Sequence, residues 1–165
     1  MGAAEDWAEA LASWAIPPEI MARAPEDPWA WPVGAFVRAT ERAVDSDPAN
    51  DRYWGNVGSA LYNLKRYPEA TRYYEEAVHR GSKRAEVYYY LAQSLIRQDR
   101  WQEARTAAQN AVNLGGERLN YLFALGLTHA GSGDLEGARK IWDHILQRWP
   151  EDARTRQAYE YYLGH

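Results

Sequence analysis

A fixed interval of 34 residues constrains this 165-residue chain more than any other feature. Ala70, Ala104 and Ala138 are spaced 104 − 70 = 34 and 138 − 104 = 34. The pairs Val57-Gly58, Leu91-Ala92 and Leu125-Gly126 keep the same spacing, as do Ala77, Ala111 and Ile145. A period of this size marks stacked supersecondary units that bury their apolar faces against one another, not one globular core. Arrays of this kind bind other molecules more often than they catalyse. The repeat therefore points to a class of function without naming a partner.

Each copy divides into two helices at its punctuation residues. Asn50 or Asp51 caps a helix running to about Leu64. Pro68 starts its partner, which runs to about Arg80 and is ended by Gly81. The second pair is expected over 84–98 and 101–114, ended by Gly115-Gly116. The third is expected over 118–131 and 134–148, with Gly131 and Gly133 flanking its turn, Asp134 as cap and Pro150 closing the unit. Gly58, Ala92 and Gly126 are small, and the expectation is that they face Ala70, Ala104 and Ala138 across each hairpin. Trp54, Tyr67, Tyr88, Trp101 and Trp142 are expected to fill the gaps between hairpins.

The flanks differ. Pro32 opens a helix to about Val44 that reads as the second half of a degenerate repeat, residues 32–50. Residues 1–31 form a leader rich in Trp and Pro. Trp7, Trp14, Trp29 and Trp31 need burial, and the expectation is that they cap the array. Residues 153–165 are read as a C-terminal capping helix. Glu160 falls in the column of Gly58, Ala92 and Gly126, where a charge is tolerable only if no further helix packs on it.

The three copies resemble the tetratricopeptide repeat, with its Trp, Leu-Gly, Tyr, Ala, Phe, Ala and Pro signature positions over 34 residues. The first copy, 51–84, has Trp54, Val57, Gly58, Leu61, Tyr67, Ala70, Tyr74 and Ala77. The second, 85–118, has Tyr88, Leu91, Ala92, Leu95, Trp101, Ala104, Ala108 and Ala111. The third, 119–152, has Leu122, Leu125, Gly126, His129, Leu135, Ala138, Trp142, Ile145 and Pro150. Departures are His129, Ala108, Ser82 and Gly116. The resemblance implies an all-α, right-handed superhelix of helical hairpins whose first helices line a concave groove. The lining that it implies is Arg52, Asn56, Ser59, Tyr62 and Asn63 from the first copy. Tyr89, Tyr90, Gln93 and Arg97 come from the second, and Asn120, Phe123 and Leu127 from the third. Asparagines could pair with an extended peptide backbone, and tyrosines could hold its side chains. Repeat proteins of this family that clamp a chaperone's C-terminal carboxylate use Lys, Arg and Asn. Here the matching positions are Gly55, Ser59, Tyr90, Asn120 and Ala124, so that specialisation is not expected.

Residues 14–36 also resemble the leader of some bacterial methyltransferases, which points to a bacterial source. No glycine-rich cofactor turn follows, so no activity is carried over. The net charge of −4 is against a nucleic-acid footprint. It is unevenly spread: residues 1–50 hold nine acids and three bases, and the remainder is slightly basic. With no cysteine, disulfides and thiolate-held metals are excluded, and a cytoplasmic setting fits. No signal peptide or membrane span is read. His79, His129, His144 and His165 share no ligand spacing, and no nucleophile elbow or phosphate loop appears. The expected function is a non-catalytic adaptor that binds a peptide or partner protein, without metal or cofactor. The alternatives are a weakly self-associating scaffold and a groove filled by the chain's own leader.

Overall fold

The computed structural model describes Arg42 and residues 50–164. The leader and almost all of the half repeat, including Phe36, lie outside the described residues. Arg42 is helical. The chain divides into two compact units, Met1–Ser82 and Lys83–His165. The first holds α1 (Asp51–Asn63) and α2 (Tyr67–His79). The second holds α3 (Ala85–Ile96), α4 (Trp101–Gly115), α5 (Leu119–Gly131), α6 (Leu135–Arg148) and α7 (Ala153–Leu163). All regular structure among the described residues is helical, and consecutive helices pair as hairpins: α1 with α2, α3 with α4, α5 with α6.

Local chemistry explains the boundaries. The Asn50 side chain accepts the Arg52 amide at 3.2 Å, and Asp134 accepts the Gly137 amide at 2.9 Å. Asp152 accepts both the amide and the hydroxyl of Thr155, at 3.0 and 2.6 Å. Each satisfies an amide that the first helical turn leaves unpaired. The turns inside the three hairpins are the same device. Lys65, Asp99 and Gly133, 34 residues apart, have φ of 61°, 56° and 86°. In each, the following amide reaches back to the last turn: Arg66 to Leu61, Arg100 to Leu95, Asp134 to His129, at 2.9–3.0 Å. This is a Schellman closure, which ends one helix in a left-handed residue and reverses the chain.

Packing inside each hairpin depends on the small column, with one difference from expectation. A methyl group placed on Gly58 would stand 2.7 Å from the Tyr74 ring, and one on Gly126 would overlap the Trp142 indole. The atoms that crowd these glycines most belong to a flat ring one turn beyond Ala70 and Ala138. Glycine leaves the backbone bare, and a ring can lie on it. In the middle hairpin the equivalent residues are Ala92 and Ala108, both fully buried. Trp142 likewise works within its own hairpin, not only between hairpins. It also tilts against Tyr159 and Tyr162 of α7, with ring centroids 6.5 and 5.8 Å away. Trp101 does bridge hairpins, because its indole lies where a Gly131 side chain would be. Glu160 is exposed.

Gly126→Ala should therefore destabilise the protein by about 1–3 kcal/mol, the usual cost of overpacking. This is expected although alanine is the better helix former by about 1 kcal/mol. Ala104→Trp, at a fully buried site, should cost more. Denaturant midpoints measure both, and a higher midpoint for Gly126→Ala would contradict this packing.

Candidate functional site

The face of interest is formed by the first helices of the hairpins. In the first unit all five expected lining residues lie on α1. Arg52 and Asn63 are exposed, and Asn56, Ser59 and Tyr62 are half-buried. Ser59 and Tyr62 are engaged within the hairpin. Ser59 accepts the Tyr74 hydroxyl at 3.0 Å and donates to the Gly55 carbonyl at 3.0 Å. The Tyr62 ring meets Tyr67 edge-on at 5.4 Å. Ser59 thus serves the hairpin before it can serve a ligand.

In the second unit the residues come from neighbouring first helices in contact, α3 with α5 and α5 with α7. Tyr90 and Arg97 are exposed on α3, and Tyr89 and Gln93 are half-buried. On α5, Asn120 is exposed, and Phe123 and Leu127 are half-buried. The aromatic residues form a connected row. Tyr89 packs edge-on against Tyr90 at 5.1 Å and tilts against Tyr121 of α5 at 5.3 Å. Tyr121 is buried with Ala85 and Ala111, and Tyr88 and Tyr89 pack on that cluster. Burial pushes the Tyr121 phenol above its ordinary range, with the Glu86 carboxylate adding to the effect and Arg118 opposing it. The Arg118 guanidinium lies 5.6 Å from the Tyr121 ring and 4.0 Å from Glu86. The middle of this face is therefore aromatic, with Glu86 and Arg118 near the N-terminal ends of α3 and α5 and Arg97 just past the C-terminal end of α3.

Two residues on this face were not among those expected. Arg154, on α7, stands 34 residues after Asn120, and Tyr161 stands 34 after Leu127. Arg154 donates to the Asn120 carbonyl oxygen at 3.1 Å and lies over the Phe123 ring at 5.3 Å. Tyr161 is 74 % exposed. The signal was available in the register. It is missed when the last helix is treated only as a cap.

His129 is tied to the turn of its own hairpin. Its Nδ1 pairs with Asp134 at 2.8 Å, behind the turn of the third hairpin. Among the described residues no group of three or more His, Asp or Glu could hold a metal ion. No described helix is long and apolar enough to cross a membrane.

Comparison with known proteins places these features. A family model described as Tetratricopeptide repeat matches residues 37–85, 58–117 and 89–153. Among curated proteins no match is found. Similar solved structures include MamA, at 23% identity and TM-score 0.71, over 78% of this chain and 77% of that one. YrrB, titled a TPR protein with an unusual peptide-binding site, is 20% identical with TM-score 0.70, over 74% of this chain and 63% of that one. The second TPR domain of human RPAP3, solved with an HSP70 peptide, is 17% identical with TM-score 0.57, over 61% of this chain and 83% of that one.

The turn cluster gives a pH test. The Gly137 amide, then the His129 ring, hold the Asp134 carboxyl below the usual carboxylate range. The ionised form therefore stabilises the fold above the unfolded value of about 4. That contribution is lost as pH falls through the lower folded value. Asp134→Asn keeps the cap geometry but does not titrate. The stability advantage of the wild type over this variant should shrink between pH 6 and pH 3. A difference independent of pH would contradict the assignment.

Proposed function

We propose, for a chain that belongs to the tetratricopeptide repeat family, a non-catalytic function: binding an extended segment of a partner protein along the first-helix face. The observation that carries the proposal is the set of aromatics that α3 and α5 leave partly or fully accessible: exposed Tyr90, with Tyr89 and Phe123 half-buried. A soluble domain normally buries its aromatic rings. Rings set in a rigid helical frame offer contact area at small entropic cost. The titles of YrrB and of the RPAP3 complex record peptide binding for those two proteins and support the same use here.

In this reading the first unit offers Arg52, Asn56, Tyr62 and Asn63 of α1 to a partner's backbone and side chains. The second unit offers Gln93 of α3, Arg97 just after it, and Asn120 and Leu127 of α5. Ser59 contributes least, because Tyr74 and Gly55 already hold its hydroxyl. The partner is a protein. Metal, cofactor, nucleic acid and membrane play no part, and the setting is cytoplasmic, consistent with a chain that lacks cysteine.

Capture from native lysate by the full-length protein, with identification by mass spectrometry, supplies a partner. Tyr90→Ala with Phe123→Ala should then weaken binding by roughly tenfold or more, since truncated aromatic anchors commonly cost over about 1 kcal/mol each. Helical circular dichroism should be unchanged. A partner bound equally well by the double variant would remove this face from consideration. A stable oligomer that buries the face, seen by light scattering, would favour the scaffold reading instead.

A further inference from the structure

The last helix does more than close the array. We infer that α7 is a fourth binding row, and that Arg154 selects partner segments carrying an acidic side chain beside an apolar one. The inference rests on the first-helix face being the binding face.

Arg154 is arranged as a preset anion receptor. Its guanidinium carbon lies 5.3 Å from the Phe123 ring centroid, and Nη2 donates to the Asn120 side chain at 3.1 Å. Nε points to Asp152 Oδ1 at 3.5 Å. The other Asp152 oxygen is committed to capping α7 through Thr155. Nη1 has no partner among the described residues, and the side chain is 53% exposed. A guanidinium held by a ring and an amide has lost most of its rotamer freedom before a ligand arrives. Its planar fork suits a carboxylate.

Charge complementarity names the occupant. Arg154 gives Asp152 only its Nε edge, at 3.5 Å, and the second Asp152 oxygen is held by Thr155. Nη1, at the other end of the fork, is left to a second carboxylate. An acidic side chain is the group that such a fork recruits, and pairing with it sets the register of the segment.

The apolar half of the specificity comes from Tyr161. It is the most exposed of the large hydrophobic residues described, and it stacks edge-on against Tyr162 at 4.8 Å. Tyr162 in turn packs on the buried Trp142. Arg154, Gln157 and Tyr161 follow at intervals of three and four, one stripe of the helix. Seven residues of helix separate Arg154 and Tyr161 by roughly 10 Å, the span of about three extended residues. An acid and an aromatic or aliphatic residue two to four positions apart would meet both. This differs from a terminal-carboxylate clamp. The basic residue lies on the helix after the third repeat, and the ligand group is a side chain.

The test uses the full-length protein and a random decamer peptide library with amidated C-termini, so that every carboxylate belongs to a side chain. The wild type should retain peptides enriched in Asp or Glu two to four residues from an apolar residue. Arg154→Gln should lose the acidic enrichment and bind a selected peptide at least about fivefold more weakly. Arg154→Glu should turn the preference towards Lys and Arg. Arg154→Lys should keep the acidic preference at reduced affinity. Tyr161→Ser should relax the apolar preference alone. Thermal unfolding of each variant confirms the fold, and Arg154→Gln decides the matter if charge reversal destabilises. Peptides retained with the same sequences and affinities by wild type, Arg154→Gln and Tyr161→Ser would overturn the inference while leaving the binding face intact. A wild type that retains no peptide would overturn both.

Discussion

The contact between a bare backbone and a flat ring sets the first and third hairpins of this chain. Where Gly58 meets Tyr74 and Gly126 meets Trp142, two helices approach more closely than any side chain on the first would allow. That approach fixes the pitch of the hairpin. It also turns another stripe of the first helix outwards, where residues such as Tyr90 and Asn120 are exposed. A binding face follows from the packing rule: one stripe of each first helix must be small, the next must fill the core, and the third is left to meet a partner.

The turns keep that arrangement in register. Left-handed residues at 65, 99 and 133 close three hairpins with the same hydrogen-bond pattern. Two of these positions are Lys and Asp, which carry a steric penalty of about 1–2 kcal/mol in that conformation. The strain persists because the flanking helices over-determine the turn. Arg66 with Glu69 and Arg100 with Glu103 brace the next helix in the first two hairpins. In the third, Asp134 stands where Arg66 and Arg100 stand, caps the helix itself, and gains His129 as partner. His129 replaces an apolar signature residue, and this pairing explains how the substitution is accommodated.

The sequence made much of this legible because a repeat supplies its own internal comparison. Helix boundaries came within one to three residues, since caps such as Asn50, Asp134 and Asp152 act locally. The partner of each small residue was less legible. Column spacing shows which residues are small, but it does not show that the rings of Tyr74 and Trp142, one turn beyond Ala70 and Ala138, make the tightest contact with them. Arg154 escaped notice for a different reason. Its role depends on Phe123 and Asn120 of the preceding repeat, a contact that appears only when neighbouring first helices lie side by side. Ser59 shows the reverse error: a polar residue at a lining position whose hydrogen bonds are already made inside the hairpin.

The account stands on the claim that first helices bind and second helices support. Amide chemical shifts of the isotopically labelled full-length protein, followed as a selected peptide is added, test that claim residue by residue. The account predicts perturbations concentrated on the outward stripes of α3, α5 and α7, around Tyr90, Phe123 and Arg154, with exposed positions of α4 and α6 such as Gln102, Thr106 and Lys140 unmoved. Perturbations centred on α4 and α6, with Tyr90, Phe123 and Arg154 unaffected, would contradict it.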